Sequence, residues 1–365
     1  MKFAIQREQL LKPLQLVSGV VEKRQTIPIL SNVLLEIDES TLTLTGSDLE
    51  VELIGRCILN APAQASGSIT IPCRKLFDIC RSLPNEALIE FQLDKERMIV
   101  SSGKSRFTLA TLPSEDYPKL LISGDATHFK LSQGDFKHLI QRTHFAMGLQ
   151  DVRLYLNGML LEVTPQSIRT VATDGHRLAM ATLNEAEVGD SNVTALIPRK
   201  GVLELLRLLE ENNTEIQVSV SSNHIRAQTD QFTFTSKLID CNFPNYERVI
   251  PKQGDKNIIL VRDIFKSSLQ RTAILSNEKF RGVKVLLDTH LIRIEANNPE
   301  QEEAHEELAI QYDHDKLEMG FNVDYLIDVL NSLTEDNVKL TFSDGEQGVL
   351  IEEANCLYVV MPMRL

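Results

Sequence analysis

The sequence predicts an α+β protein made of three similar units in tandem, each with two helices and about eight short strands in antiparallel sheets. Three observations predict it. A short strand followed by an amphipathic helix opens each third of the chain. A strand pair joined by a tight corner recurs at nearly constant spacing. A second amphipathic helix, followed by three strands, ends each third.

The opening strand and helix are Phe3-Ala4-Ile5 with Leu10, Leu14 and Val17. They recur 126 residues on as Phe129-Lys130-Leu131 with Phe136, Ile140 and Thr143, and 129 further on as Ile258-Ile259-Leu260 with Phe265, Leu269 and Thr272. Residues 31–37 match residues 157–163 at a shift of 126, and residues 281–286 follow at a shift of 124. Their hairpin partners are residues 42–45, 168–171 and 292–295. The second helix carries Leu76, Ile79, Cys80 and Leu83, then Val202, Leu205, Leu206 and Leu209, then Leu326, Val329, Leu330 and Leu333, one buried stripe each time. Pro72 and Pro198 sit where these helices start, a position proline tolerates. Strands are expected at 88–93, 98–101 and 106–112 and at the matching places in the later copies. Turn residues gather at Gly124-Asp125 and Gly254-Asp255, so the expected domains are 1–125, 126–254 and 255–365.

The formal net charge of -13 argues against a protein that coats nucleic acid, but allows a local basic surface inside an acidic envelope. Five cysteines without a CxxC pair fit neither a disulfide framework nor a zinc site and suggest a reducing, cytoplasmic setting. Gln6, Arg7, Glu8 and Gln9 interrupt any signal-peptide core, and no apolar run is long enough for a membrane span.

The corner at residues 170–180, TVATDGHRLAM, concentrates the chemistry. Two apolar arms flank Thr173-Asp174-Gly175, with Gly175 able to take a positive φ, and His176-Arg177 is expected on an exposed edge. Asp174 and His176 are two ligand types without a third at metal-site spacing, and the chain has no P-loop and no nucleophile elbow. A non-catalytic protein with no cofactor and no metal is expected. The readings left open beside it are an enzyme using Asp174 and His176, and a scaffold that binds only proteins. The same corner has counterparts at Ser47-Asp48-Leu49 and Asn297-Asn298-Pro299.

The whole chain resembles the bacterial sliding clamp family, the beta subunit of DNA polymerase III. The resemblance rests on TVATDGHRLA at Thr170, IPRKGVLELLR at Ile197, FTSKLIDCNFPNY at Phe234, ILSNEKFRGV at Ile274, NNPEQEEA at Asn297 and YVVMPMRL at Tyr358. It implies a DNA clamp fold, closed as a head-to-tail homodimeric ring around double-stranded DNA without reading sequence. It also implies partners held through short linear motifs: the DNA polymerase III alpha subunit, the clamp loader, other polymerases and repair proteins.

Site residues follow from the same resemblance. A peptide pocket would use Leu156, Thr173, Gly175, His176, Arg177, Leu178, Pro244, Arg248, Val249, Val359, Met361, Pro362, Met363 and Arg364. DNA contacts would be Arg24, Gln150, Arg153, Tyr155 and Lys200, with Leu154 standing where the family carries an aromatic. The paired helices would line the hole, with Lys12, Arg142, Arg207 and Arg271 among their cations and Asp324 and Asp328 breaking the trend. The dimer seam would set Lys75, Arg97, Lys104 and Arg106 against Glu300, Glu302, Glu303 and Glu306, around an apolar centre of Phe107, Leu109, Ile274 and Leu275. His305 replaces a Glu of the family pattern.

Overall fold

A computed structural model describes residues 1–22, 27–120, 125–184, 188, 192–252, 254–343 and 347–364. Among them are six α-helices and 24 strands. Contacts divide the chain into two compact bodies, residues 1–134 with 200–238, and residues 135–199 with 239–365. The division runs through the middle repeat, because strands of successive repeats share a sheet.

In the first body, an eight-stranded sheet runs Gly67–Pro72, Asn32–Asp38, Thr41–Ser47, Val51–Ile58, Phe232–Lys237, His224–Gln228, Glu215–Val220, Thr127–Ser132. Its halves join where Val51–Ile58 pairs antiparallel with Phe232–Lys237. A four-stranded sheet of Lys2–Gln6, Leu88–Asp94, Arg97–Ser102 and Ser105–Ala110 leaves the last strand at an edge.

The second body repeats this plan. Its eight-stranded sheet runs Val193–Pro198, Gly158–Thr164, Ser167–Thr173, Arg177–Asn184, Cys356–Val360, Val349–Glu353, Asn337–Phe342, Lys256–Val261. Here Arg177–Asn184 joins Cys356–Val360. Its four-stranded sheet runs Glu303–Ala309, Leu291–Asn297, Gly282–Asp288, Leu317–Asn322, with Glu303–Ala309 at an edge.

Burial explains the patterning. Val33, Leu34 and Leu35 are consecutive and fully buried, as in a central strand covered on both faces. The helix Arg7–Ser18 buries Leu10, Leu14 and Val17 at helical spacing. Gly55 lets that helix approach its sheet, since a Cβ there would lie 2.9 Å from the Cβ of Pro13. Pro72 ends the strand Gly67–Pro72 and caps the helix Cys73–Ser82 instead of lying inside it, and Pro198 likewise ends Val193–Pro198 before the helix Arg199–Leu208. Asn322 takes this place in the third repeat, where its side chain accepts the N–H groups of Asp324 and Tyr325.

One expected cation of the helix faces lies elsewhere. Arg142 is buried, paired with Glu353 at 2.8 Å, and donates to the Ser332 carbonyl and the Thr334 hydroxyl. The Glu353 carboxylate also accepts the N–H groups of Thr334 and Glu335 at 2.6 Å each. Burial pushes this carboxyl up, but the two N–H groups and Arg142 outweigh it and hold it below its ordinary value. The charge therefore stabilises the fold above the ordinary carboxylate value of 4.5 and ceases to do so as pH falls through the lowered one. Breaking a buried pair from one side leaves a desolvated charge and costs about 3–5 kcal/mol. Glu353→Gln should lower the urea midpoint of the full chain at neutral pH and flatten its acid dependence. An unchanged midpoint would show that Arg142 finds equivalent partners without the charge.

Candidate peptide-binding pocket

The corner at Asp174 is built by its own side chain. Oδ1 of Asp174 accepts the N–H groups of His176 and Arg177 at 2.9 and 3.0 Å, and Thr173 Oγ1 accepts that of Gly175. Gly175 has φ +89°, a conformation that costs glycine little and that Leu49 bears at +78° in the first repeat. Strand pairing then sets Leu178 opposite Val359, and the Met361 N–H donates to the His176 carbonyl. The corner and the C-terminal strand together form one wall of a cavity of about 190 Å³.

Nine residues expected at the pocket line it: Leu156, Thr173, Gly175, Arg177, Leu178, Pro244, Val249, Val359 and Met361. Arg153 and Tyr155, expected at DNA, line it too, and Asn245 and Tyr246 complete it. Tyr246 is nearly buried, and its hydroxyl donates to Glu162 at 2.6 Å while accepting from Arg169. Five expected residues are not among the lining. His176 is exposed and stacks on Tyr325, with ring centroids 6.4 Å apart. Arg248 is exposed at the end of a 3-10 turn. Pro362 is half-buried, Met363 bridges to Gly320 by its N–H, and Arg364 is exposed.

Arg177 does not lie on an exposed edge. Its side chain is 10% exposed, with the guanidinium 4.4 Å from the Tyr325 ring centroid and 5.4 Å from that of Phe145. It donates to Asp174, to Asp328 and to the Phe145 carbonyl. This use of Asp174 is structural. Among the described residues no cluster of three or more metal-ligand side chains occurs.

The first body shows why the corner alone does not make a pocket. At a shift of 126, Ile29, Leu30, Leu34 and Leu49 stand for Tyr155, Leu156, Leu160 and Gly175. Ile29, Leu30 and Leu34 form a closed apolar cluster with Tyr117, and Leu49 packs against it. Tyr117 corresponds at the same shift to Phe243, which packs partly buried against the cluster of Leu160, Leu178, Tyr246 and Val359. In the third repeat Asn298 accepts the N–H of Glu302, which makes a longer and wholly different turn.

The residues expected at DNA are scattered in their environments. Arg24 lies outside the described residues. Gln150 is exposed with φ +56°. Arg153 is tied to Asp151 at 3.0 Å, and its donors hold the Asp151 carboxyl down at about 2. Lys200 is paired with Glu22 and Asp48, the latter being the counterpart of Asp174. On the helices, Arg207 is committed to Glu204 and the Leu16 carbonyl, and Arg271 to Glu306.

Of the residues expected at the seam, Arg97, Lys104 and Arg106 lie on or beside the edge strand Ser105–Ala110 and the glutamates on or just before Glu303–Ala309, while Lys75 lies in the helix Cys73–Ser82 and Ile274 and Leu275 follow the helix Arg262–Ala273. Lys75, Arg97, Lys104 and Arg106 are exposed, as are Glu300, Glu302 and Glu303. Ile274 is 76% exposed, while Phe107 and Leu275 are half-buried. Leu109 faces inward opposite Met98 and is 7% exposed, because alternation along Ser105–Ala110 turns it to the core. The carboxylate of Glu306 is held by Arg271 of its own body at 2.7 Å, so it is not an open acid. Phe280, 57% exposed beside Lys279, was not anticipated; its place after Lys279 in ILSNEKFRGV is the only signal for it.

The chain is similar to known proteins along its whole length. The three domain models of the DNA polymerase III beta subunit match in order, the N-terminal domain at residues 1–121, the central domain at 130–245 and the C-terminal domain at 247–364. The beta sliding clamp of Pseudomonas aeruginosa is 52% identical and that of Escherichia coli K12 50% identical, each over all of both chains. A solved sliding clamp of Pseudomonas aeruginosa, bound to griselimycin, superposes over all of both chains with a TM-score of 0.97 at 52% identity. That of Caulobacter crescentus, with polyethylene glycol bound, does so at 0.95 and 34% identity. From end to end, then, the chain belongs to the DNA polymerase III beta subunit family, the non-catalytic bacterial sliding clamps.

Proposed function

We propose that the chain acts as a DNA polymerase processivity factor, two copies closing head to tail into a ring around duplex DNA. The observation that carries this reading is a pairing rule with one missing term. The fourth strand of the first repeat, Val51–Ile58, pairs with the closing strand of the second. The fourth strand of the second repeat, Arg177–Asn184, pairs with the closing strand of the third. Glu303–Ala309 and Ser105–Ala110 are the fourth strand and closing strand left over, and both are sheet edges. A second copy supplies both missing partners at once, and heterologous pairing of this kind closes after two chains of three units.

Charge supports the same partner. The edge Ser105–Ala110 carries Arg106, with Lys104 and Arg97 beside it, whereas Glu303–Ala309 is preceded by Glu300 and Glu302. Like edges repel and unlike edges attract, which selects head-to-tail over self-pairing. Ile274, Leu275 and Phe107 form the apolar part of this seam. The repeats would then be domains 1–125, 126–254 and 255–365.

A closed ring is retained on DNA by topology, so its contacts with phosphates can stay weak and free of base readout. Gln150, Arg153, Tyr155 and Lys200, with Arg24, would supply such contacts. The cavity beside Arg177 would bind short linear segments of the DNA polymerase III alpha subunit, the clamp loader, other polymerases and repair proteins. Its apolar lining suits large side chains, and Met361 adapts to more than one of them. No helix among the described residues is long and apolar enough to cross a membrane. The cytoplasm is the proposed compartment.

Three measurements test this reading. After assembly on a nicked circle with a clamp loader and ATP, the protein should be lost when the circle is cut once; equal retention on cut and uncut DNA would make it an ordinary DNA-binding protein. Deleting residues 361–365 should abolish stimulation of the host polymerase while the dimer persists in sedimentation, and full stimulation would remove the pocket assignment. Ile274→Asp should shift sedimentation to the single-chain mass with the melting transition retained. A dimer of undiminished strength would move the seam elsewhere.

A further inference from the structure

The helix Val323–Ser332 meets three arginines on one face, at four-residue spacing. Asp324 pairs with Arg281, Asp328 with Arg177, and the Ser332 carbonyl accepts from Arg142. The outer two serve the fold. Arg281 also reaches the Ala273 carbonyl and Ser276, and Arg142 belongs to the buried pair with Glu353. The middle one differs, because Arg177 is at once a partner of this helix and a wall of the cavity.

Three of the five N–H groups of Arg177 are engaged, one each by Asp174, Asp328 and the Phe145 carbonyl. Asp174 is itself consumed by the turn, and the Phe145 carbonyl holds only one Nη atom. Asp328, at 2.6 Å, is the one partner that is neither backbone nor part of the corner. Its carboxylate is thus the one side chain outside the corner that hydrogen-bonds the guanidinium beside the rings of Phe145 and Tyr325. The same plane decides where the two remaining N–H groups point.

We propose that Asp328 is a positioning residue for peptide recognition. Through Arg177 it aims a fixed donor pair at a main-chain carbonyl of an extended peptide whose apolar side chain enters the cavity. Occupancy of the cavity is in turn felt by the helix Val323–Ser332. This rests on the pocket reading above and adds to it a residue outside the lining and a route from the cavity to a helix. Asp328 is about 40% exposed, so Asp328→Asn fits without repacking.

The test uses the full-length protein and overlapping fluorescein-labelled peptides from the host's DNA polymerase III alpha subunit, the tightest binder being carried forward. Asp328→Asn should weaken its binding about ten-fold, the effect of losing one charge-assisted hydrogen bond that orders a ligand-facing donor. Asp328→Glu should restore most of it, with all melting temperatures alike. Peptide should slow amide exchange across residues 323–332 in the unaltered protein and fail to do so in Asp328→Asn. If Asp328→Asn binds as tightly as the unaltered protein while deletion of 361–365 abolishes binding, the pocket stands and Asp328 has no part in it. If the deleted chain also binds, the pocket reading falls and this inference with it.

Discussion

Antiparallel pairing between the fourth strand of one repeat and the closing strand of the next is the constraint on which everything else hangs. It makes two eight-stranded sheets from halves that would otherwise be four-stranded. It brings Val359 and Met361 to the corner at Gly175, across more than 180 residues of chain, and so creates a cavity that neither repeat contains alone. It also leaves two edges unsatisfied. Exposed edges invite pairing, and here they carry opposite charge, which is what the proposed head-to-tail pairing would use.

Triplication supplies the same corner three times, and small differences give it three fates. Asp48 and Asp174 both accept N–H groups two and three residues on. Leu49 takes φ +78° where Gly175 takes +89°, and Leu49 packs on a closed cluster with Tyr117 whereas Gly175 lines a cavity. The corner's acid is then matched differently, Asp48 to Lys200 and Asp174 to Arg177. A pocket therefore depends on more than the turn.

The acidic total conceals how the cations are used. Arg142, Arg177, Arg207, Arg271 and Arg281 are each committed to a carboxylate or a carbonyl. Arginine suits this, because its planar fork can join several acceptors at once. Such residues are parts of the framework first. Arg153 and Lys200, proposed above to meet DNA, are paired as well, with Asp151 and with Glu22 and Asp48, so under that proposal a phosphate would have to compete for them.

Local sequence determined the elements and their repetition. Helical spacing of Leu10, Leu14 and Val17, alternation in the paired strands, and shifts of 124 to 129 residues are visible because they reflect short-range periodicity and duplicated order. Family resemblance brought most of the pocket lining with it. Tertiary structure alone decided which polar side chains are spoken for. Arg142 reads as a helix-face cation and is buried against a glutamate 211 residues away. Arg177 reads as exposed and is held between two rings, and Glu306 reads as a seam acid and is taken by Arg271. Asn245 and Tyr246 joined the cavity, and Leu109 turned inward, for the same reason. Periodicity is written in neighbouring residues, whereas the partner of a charge and the emptiness of a cavity depend on atoms that only the folded chain brings together.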